Sequence, residues 1–287
     1  MPLLTPEDAA RLSPIFNGKT GQALARMLIR LLNVDELNAL VDRCSQFKGP
    51  DFAGAMVEDQ EVDYLVGGSE VLENLPEGAF ITVSNHPYGA ADGVFLIDLL
   101  GHCRPDFKVM VNKILSIIKP LEDNFITVVP TGERKTAPKA DSISGIRMCM
   151  QHLRDGSPLG IFPSGAVSDL SLRDRCIRDR EWQEPVIKLI RKAGVPVIPV
   201  RFFDRNSDFY YLLGLLSWKI RLLRLPTEAT NKRGKLTRIG IGPVITVDEQ
   251  RKYDSPEAFA HMLRQSVYGM EMPRDFKKRS ELNIFER

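Results

Sequence analysis

From about residue 62 onward, short β-rich runs recur between helix-like stretches, and this alternation constrains the fold more than any other feature of the chain. The runs lie at 80–84 (Phe-Ile-Thr-Val-Ser), 107–111, 125–129, 159–162 and 197–203. Helix-like stretches separate them at about 92–102, 113–119, 140–155 and 183–193. Strands joined through helices return by right-handed crossovers, so their sheet is largely parallel. A strand pair at 237–241 and 243–247 and a helix at 255–268 close the pattern. The expected fold class is α/β: a mostly parallel central sheet with flanking helices, preceded by an N-terminal helical element. The expected division is a helical element at 1–60, an α/β domain at 61–270 and a C-terminal tail at 271–287.

Within the first segment, Thr5 followed by Asp8 three residues on is a capping-box start. Residues 20–33 show helical periodicity, with Gln22, Arg26 and Arg30 on a polar stripe and Leu24, Met27, Leu28 and Leu31 elsewhere. Residues 47–61, containing Gly49-Pro50-Asp51, read as a loop. A chain of 287 residues, 43% hydrophobic and 26% charged, has enough apolar side chains to cover both faces of a sheet. No stretch reaches the roughly 18–20 uncharged apolar residues needed to span a bilayer. The N-terminus has neither the basic start nor the apolar run of a secretory leader. Cys44, Cys103, Cys149 and Cys176 are scattered and form no C-x-x-C pair, which argues against a zinc or redox site and suits a reducing cytoplasm. No metal site and no bound cofactor are expected.

Charge is unevenly distributed. Lys219, Arg221, Arg224, Lys232, Arg233, Lys235 and Arg238 face a single acid, Glu228, between 217 and 238. Such a block is either a solvated face or a contact for phosphates of lipid or nucleic acid. It has no interleaved aromatic platform and no nucleic-acid motif, so nucleic acid is not an expected partner. Residues 209–225 mix aromatics, leucines and basic side chains. They suit either an interfacial helix or a buried helix with basic tips reaching solvent.

The segment with chemical potential is Ser84-Asn85-His86-Pro87-Tyr88-Gly89-Ala90-Ala91-Asp92-Gly93. His86 follows a strand, at the end of the sheet where α/β proteins place their sites. Pro87 disfavours helix at His86, and Gly89 permits a tight turn beside a ligand. Asp92 is either a simple helix cap or the group that orients a histidine base. His102, His152 and His261 lie within helical patterns and read as structural or surface residues.

This segment resembles the first motif of the glycerolipid acyltransferase superfamily, in which a His and an Asp follow a strand. The commoner spacing is H-x4-D. The H-x5-D here resembles the branch related to ornithine-lipid and haemolysin-annotated aminolipid acyltransferases. Phe162-Pro163-Ser164-Gly165 resembles the F-P-E-G block, Val195-Pro196-Val197-Ile198-Pro199-Val200 resembles the fourth motif, and 203–214 resembles the aminolipid branch. The likeness runs from about Val62 to Asp248.

The resemblance implies acyl transfer from acyl-CoA or acyl-carrier protein, used as co-substrate, to a lyso-lipid or aminolipid precursor. His86 is then the general base, oriented by Asp92, with backbone amides around Gly165 holding the oxyanion. Asn85, Gly89, Lys113, Phe125, Arg134, Phe162, Pro163, Ser164 and Gly165 become candidate substrate contacts. The family's second motif ends in an Arg that grips a glycerol phosphate; Val128 stands there in this chain. That departure disfavours a phosphate monoester acceptor, unless Lys113, Arg134 or Arg173 supplies the charge. Ser164 replaces a Glu and is not in the G-x-S-x-G elbow of hydrolases; Ser168 and Asp169 are expected to cap a following helix. The expected location is cytoplasmic and peripheral, on the inner face of the membrane, through a contact that weakens with salt but does not vanish. The alternative function is a non-catalytic lipid or acyl-chain binding protein that retains the fold.

Overall fold

A computed structural model describes residues 5–128 and 140–285. The chain opens with α1 (Pro6–Leu12), α2 (Gly18–Leu31), α3 (Val34–Cys44) and α4 (Gly49–Asp59). Thr5 and Asp8 form the expected capping box on α1. The fourth helix replaces the expected loop at 47–61. Pro50 sits at its first turn, where a missing N–H costs nothing, and Phe52, Ala53, Met56 and Val57 are its buried face. Gly-Pro-Asp is therefore a helix start rather than a turn.

The alternating region follows as β1 (Leu65–Gly67), α5 (Glu70–Glu73), β2 (Ile81–Ser84), α6 (Ala90–Cys103), β3 (Lys108–Asn112), β4 (Phe125–Val128), α7 (Ala140–Arg154) and β5 (Leu159–Ile161). Next come β6 (Asp169–Ser171), β7 (Cys176–Arg178), α8 (Glu184–Ala193), β8 (Val197–Phe202), α9 (Asp208–Leu216), α10 (Trp218–Leu223) and α11 (Leu225–Thr230). The chain ends with β9 (Arg238–Ile241), α12 (Val247–Gln250), α13 (Pro256–Tyr268) and β10 (Lys277–Lys278). Among the described residues, eight strands form one sheet in the order β10-β1-β9-β8-β2-β5-β3-β4. The five strands from β8 to β4 are mutually parallel, whereas β9 runs antiparallel to β8 and β10 antiparallel to β1.

Alternation along the strands divides the core into two layers. Ile81 and Val83 of β2 pack with Leu159, Ile161 and Val197 against α7, α8 and α13. Val109, Val111, Ile198, Val200 and Phe202 pack against α4 and α6 on the other face. The period-2 direction of strand side chains makes this division unavoidable once β2 is central.

Three expectations change in detail. The stretch after β3 is two 3-10 turns, Lys113–Ile117 and Lys119–Asn124, because Pro120 interrupts a continuous helix. The second strand of the expected 237–247 pair is reduced to one bridge, Val197 to Ile245. Ser168 and Asp169 lead into the β6–β7 hairpin instead of capping a helix.

Candidate active site

Strand β2 delivers Asn85 and His86 to the carboxyl end of the sheet. Asn85 donates through Nδ2 to the carbonyl of Phe202 at 2.9 Å and accepts from the Phe202 amide at 2.8 Å. Its side chain thus extends the β2–β8 ladder, and both bonds are engaged in the fold rather than with a ligand. The backbone of His86 is fixed from both sides. Its amide donates to Asp179 Oδ1 at 3.1 Å, and its carbonyl accepts from the Ser168 amide at 2.9 Å.

The turn from His86 into α6 closes on Asp92. Gly89 has φ of 81°, a conformation that side-chain-bearing residues rarely adopt, and a Cβ there would meet Leu225 and Val167. The fully buried carboxylate of Asp92 accepts from the Tyr88 and Gly89 amides, both at 2.9 Å to Oδ2. The same oxygen lies 2.9 Å from His86 Nδ1. That contact is bent: the ring N–H does not aim straight at the oxygen, and Asp92 Oδ1 has no hydrogen-bond partner. Hydrogen bonds of this kind are often poorly aligned before substrate binds. Burial pushes the Asp92 carboxyl up, opposed by His86 and by the two amides.

Phe162 stacks on the imidazole with ring centroids 4.3 Å apart. The histidine's other edge faces an apolar cavity of about 190 Å³ lined by Val94, Met110, Leu115, Phe125, Val128 and Phe162. One imidazole therefore sits between a buried carboxylate and a space suited to hydrocarbon. The family model described as Acyltransferase matches residues 9–275.

The chain belongs to the acyltransferase family.

It is 30% identical over 250 residues to a lyso-glycine lipid O-acyltransferase of Bacteroides thetaiotaomicron, covering 84% of this chain and 87% of that one. It is 28% identical over 264 residues to a lyso-glycine lipid O-acyltransferase of Phocaeicola vulgatus, covering 88% and 90%. Among solved structures it is similar to the 1-acyl-sn-glycerophosphate (LPA) acyltransferase of Thermotoga maritima, with TM-score 0.49, 14% identity, and coverage of 79% and 76%.

The remaining candidates of this acyltransferase divide by position. Gly89, Phe125, Phe162 and Gly165 line the cavity with His86. Pro163 is buried beside them and accepts through its carbonyl from the Gln183 amide. Lys113 is exposed outside the cavity lining, Arg173 is exposed at the β6–β7 turn, and Arg134 lies outside the described residues. Ser164 donates its hydroxyl to the Ala166 carbonyl at 2.7 Å, a local turn bond. The Gly165 amide, expected to hold an oxyanion, already donates to the Phe162 carbonyl at 3.0 Å. On the His86 loop, by contrast, the amide of Ala90, the first residue of α6, has no partner within the helix, as is usual for the first N–H groups of a helix.

Sequence reasoning missed the supports behind the loop. Tyr211 Oη donates to the Pro87 carbonyl at 2.8 Å, and Asn206 Nδ2 to the Tyr88 carbonyl at 3.3 Å. Lys232 Nζ in turn donates to Asn206 Oδ1 at 2.7 Å and lies over the Tyr88 ring. Burial pushes the Lys232 ammonium down to about 8, with Glu228 and Asp92 holding it up. Arg221, buried in α10, donates to the Ser168 carbonyl at 2.8 Å and pairs with Asp169. The available signal was a set of polar residues within the otherwise apolar 206–232 excursion.

These contacts also dissolve the expected basic block. Arg221 pairs with Asp169, Arg224 with Glu228, Arg233 with Glu61 and Arg238 with Asp204, while Lys232 is buried. Lys219 and Lys235 remain exposed. The expected helix over 209–225 is broken at Ser217 into α9 and α10.

Proposed function

We propose that this acyltransferase moves a fatty acyl group from acyl-CoA or acyl-carrier protein to the hydroxyl of a lyso-aminolipid bearing a free carboxylate, in membrane lipid biosynthesis. The observation that carries the reading is His86, with Nδ1 against the buried Asp92 carboxylate and its ring bordering an apolar cavity. In this reading Asp92 holds the proton on Nδ1 and leaves Nε2 basic. The acceptor hydroxyl gives its proton to Nε2 as its oxygen bonds to the thioester carbonyl carbon. Collapse of the tetrahedral adduct breaks the C–S bond, and His86 returns the proton to the departing thiolate. The donor's acyl chain occupies the cavity. Amides at the start of α6, including that of Ala90, which lines the cavity with His86, stabilise the oxyanion in this reading, helped by the helix dipole. The names of the two relatives support a lyso-glycine lipid as the acceptor.

Val128 lines the cavity at the position of the phosphate-gripping Arg in the resembling family. N-(3-hydroxyacyl)glycine should therefore be acylated at least tenfold faster than glycerol-3-phosphate or lysophosphatidate at equal concentration. A tenfold difference corresponds to about 1.4 kcal/mol, well within what one charge-assisted hydrogen bond is worth. Release of free thiol from acyl-CoA, followed with each acceptor, measures this; faster turnover of either phosphate substrate would refute the assignment.

We also place the enzyme on a membrane surface, at the inner face of the cytoplasmic membrane. Among the described residues no helix is long and apolar enough to cross a membrane. Instead α9 and α10 expose Phe209, Leu212, Leu216, Trp218, Ile220 and Leu223, with Leu216 79% exposed. The end of α2, where Leu31 is 73% exposed, is joined to α11 through the Asn33–Thr230 hydrogen bond. With most of the basic block internally paired, apolar insertion supplies the affinity. Binding to anionic vesicles should then survive high salt largely intact, contrary to the salt-weakened contact expected from the sequence. Leu216→Asp with Trp218→Asp should abolish co-sedimentation without lowering the melting temperature. Unchanged sedimentation of that variant would disprove the contact.

A further inference from the structure

On the other side of the His86 loop lies a second, larger cleft of about 540 Å³. Asn85 and Pro87 line it, whereas His86 between them lines the apolar cavity, so the loop divides the two spaces. The walls are the end of β8, helix α13 and the β6–β7 hairpin. We propose that this cleft is an oxyanion-binding site, built around Arg201 and Arg264, that holds the carboxylate or phosphate of a substrate while the hydrocarbon occupies the apolar cavity.

Charge balance carries the argument. Arg201 is half-buried and donates Nη1 to the carbonyls of Tyr268 and Met270, both at 2.6 Å, with its guanidinium over the Phe203 ring. Arg264 donates to the carbonyls of Asp179 and Arg180, each at 2.8 Å, and stacks on Tyr268. Among the described residues neither guanidinium has a carboxylate partner. Asp204 is the one carboxylate in the lining, and it is bound in a fork by Arg238. Carbonyl dipoles orient an arginine but leave its full charge uncompensated, and Nε and Nη2 of Arg201 remain available as donors. Desolvation without an acid alongside lowers the Arg201 pKa, the opposite of what a salt bridge does. A planar, desolvated guanidinium of this kind matches a carboxylate or phosphate through two parallel hydrogen bonds. A polar cleft and an apolar cavity on either side of one loop also fit a substrate with an anionic head and a long chain.

Isothermal titration calorimetry tests the site with N-butanoylglycine, its methyl ester and coenzyme A, first at low and then at high salt. The choice of probes rests on the acyl transfer proposed above, but binding is read without turnover. The acid, coenzyme A or both should bind at least tenfold more tightly than the ester, and high salt should weaken that binding. Arg264→Gln, whose contact to the Arg180 carbonyl lies at the exposed surface, should weaken it tenfold or more with only a small fall in melting temperature. Arg201→Gln should do the same if its loss of two carbonyl contacts leaves the fold intact; otherwise Arg264→Gln decides alone. A response confined to the acid assigns the site to the acceptor carboxylate, and one confined to coenzyme A assigns it to the donor phosphates. An ester that binds as well as the acid, with coenzyme A binding indifferent to Arg264→Gln, overturns the proposal. Anion binding that depends on Arg264 in a protein that transfers no acyl group would remove the proposed reaction and leave the cleft standing.

Discussion

His86→Ala is expected to lower acyl transfer by about 10²–10⁴-fold, the range removed with a general base, with little loss of melting temperature. The loop does not depend on the imidazole. His86 is held through its own amide and carbonyl, by Asp179 and Ser168, and Tyr211 and Asn206 hold the two residues after it. Asp92→Asn should cost less activity. All three contacts of Asp92, from Tyr88, Gly89 and His86, converge on Oδ2, so an asparagine that places its carbonyl there keeps the histidine tautomer and loses only the negative charge. Its amide nitrogen then occupies the unpartnered Oδ1 position, and an unsatisfied buried donor costs about 1–3 kcal/mol of stability. Steady-state kinetics and thermal melts on the two variants separate these effects. His86→Ala retaining more than about a tenth of wild-type turnover would show that no general base acts at this position.

The parallel half of the sheet was legible because each of its strands is a short apolar run between helix-like segments. Helix α4 was hidden by Gly49-Pro50-Asp51, which has the composition of a turn but the placement of a helix start. The β6–β7 hairpin was hidden because Asp169–Ser171 and Cys176–Arg178 are three residues each, only partly buried, and contribute a single inward apolar residue apiece, Leu170 and Ile177. In the site, His86 and Asp92 were legible together because a strand, a glycine turn and a helix start bring them close within seven residues. The supports behind them join positions far apart in the chain: Asn85 to Phe202 and Pro87 to Tyr211. Periodicity carries no information about such pairs, and local composition makes Tyr211 and Arg221 look like parts of an interfacial helix. The basic block failed for the same reason. Its charge is real in the sequence, but its partners Glu61, Asp169 and Asp204 arrive from elsewhere.

Arg279→Ala should be the most destabilising single change outside the apolar core. Arg279 stands just after β10 and reaches under the sheet edge to Asp98, a fully buried carboxylate in α6. Nε and Nη2 grip the two carboxylate oxygens at 2.7 and 2.9 Å, Nη1 donates to Glu58 at 2.9 Å, and the guanidinium lies over the Phe285 ring. Tyr64 Oη donates to the same carboxylate at 2.7 Å, and the Arg279 amide donates to the Tyr64 carbonyl at 2.8 Å. The close approach depends on Gly54 of α4, where a Cβ would stand 2.8 Å from Arg279 Nη2. Truncation strips the guanidinium from the fully buried Asp98 carboxylate and leaves only the Tyr64 hydroxyl and the His102 ring, 3.6 Å away, beside it, a loss of about 3–5 kcal/mol. In a chain of this size that lowers the melting temperature by on the order of 10 °C. Arg279→Lys keeps the charge but loses the fork, so it should fall between wild type and alanine. The double variant Asp98→Leu with Arg279→Met removes both charges and should recover most of the alanine loss, since the pair's mutual attraction largely offsets its own desolvation. Thermal melts of the four proteins decide the matter. An alanine variant melting within about 2 °C of wild type, less than the shift that even 1 kcal/mol produces, would mean that water already reaches Asp98 and that the clamp contributes little.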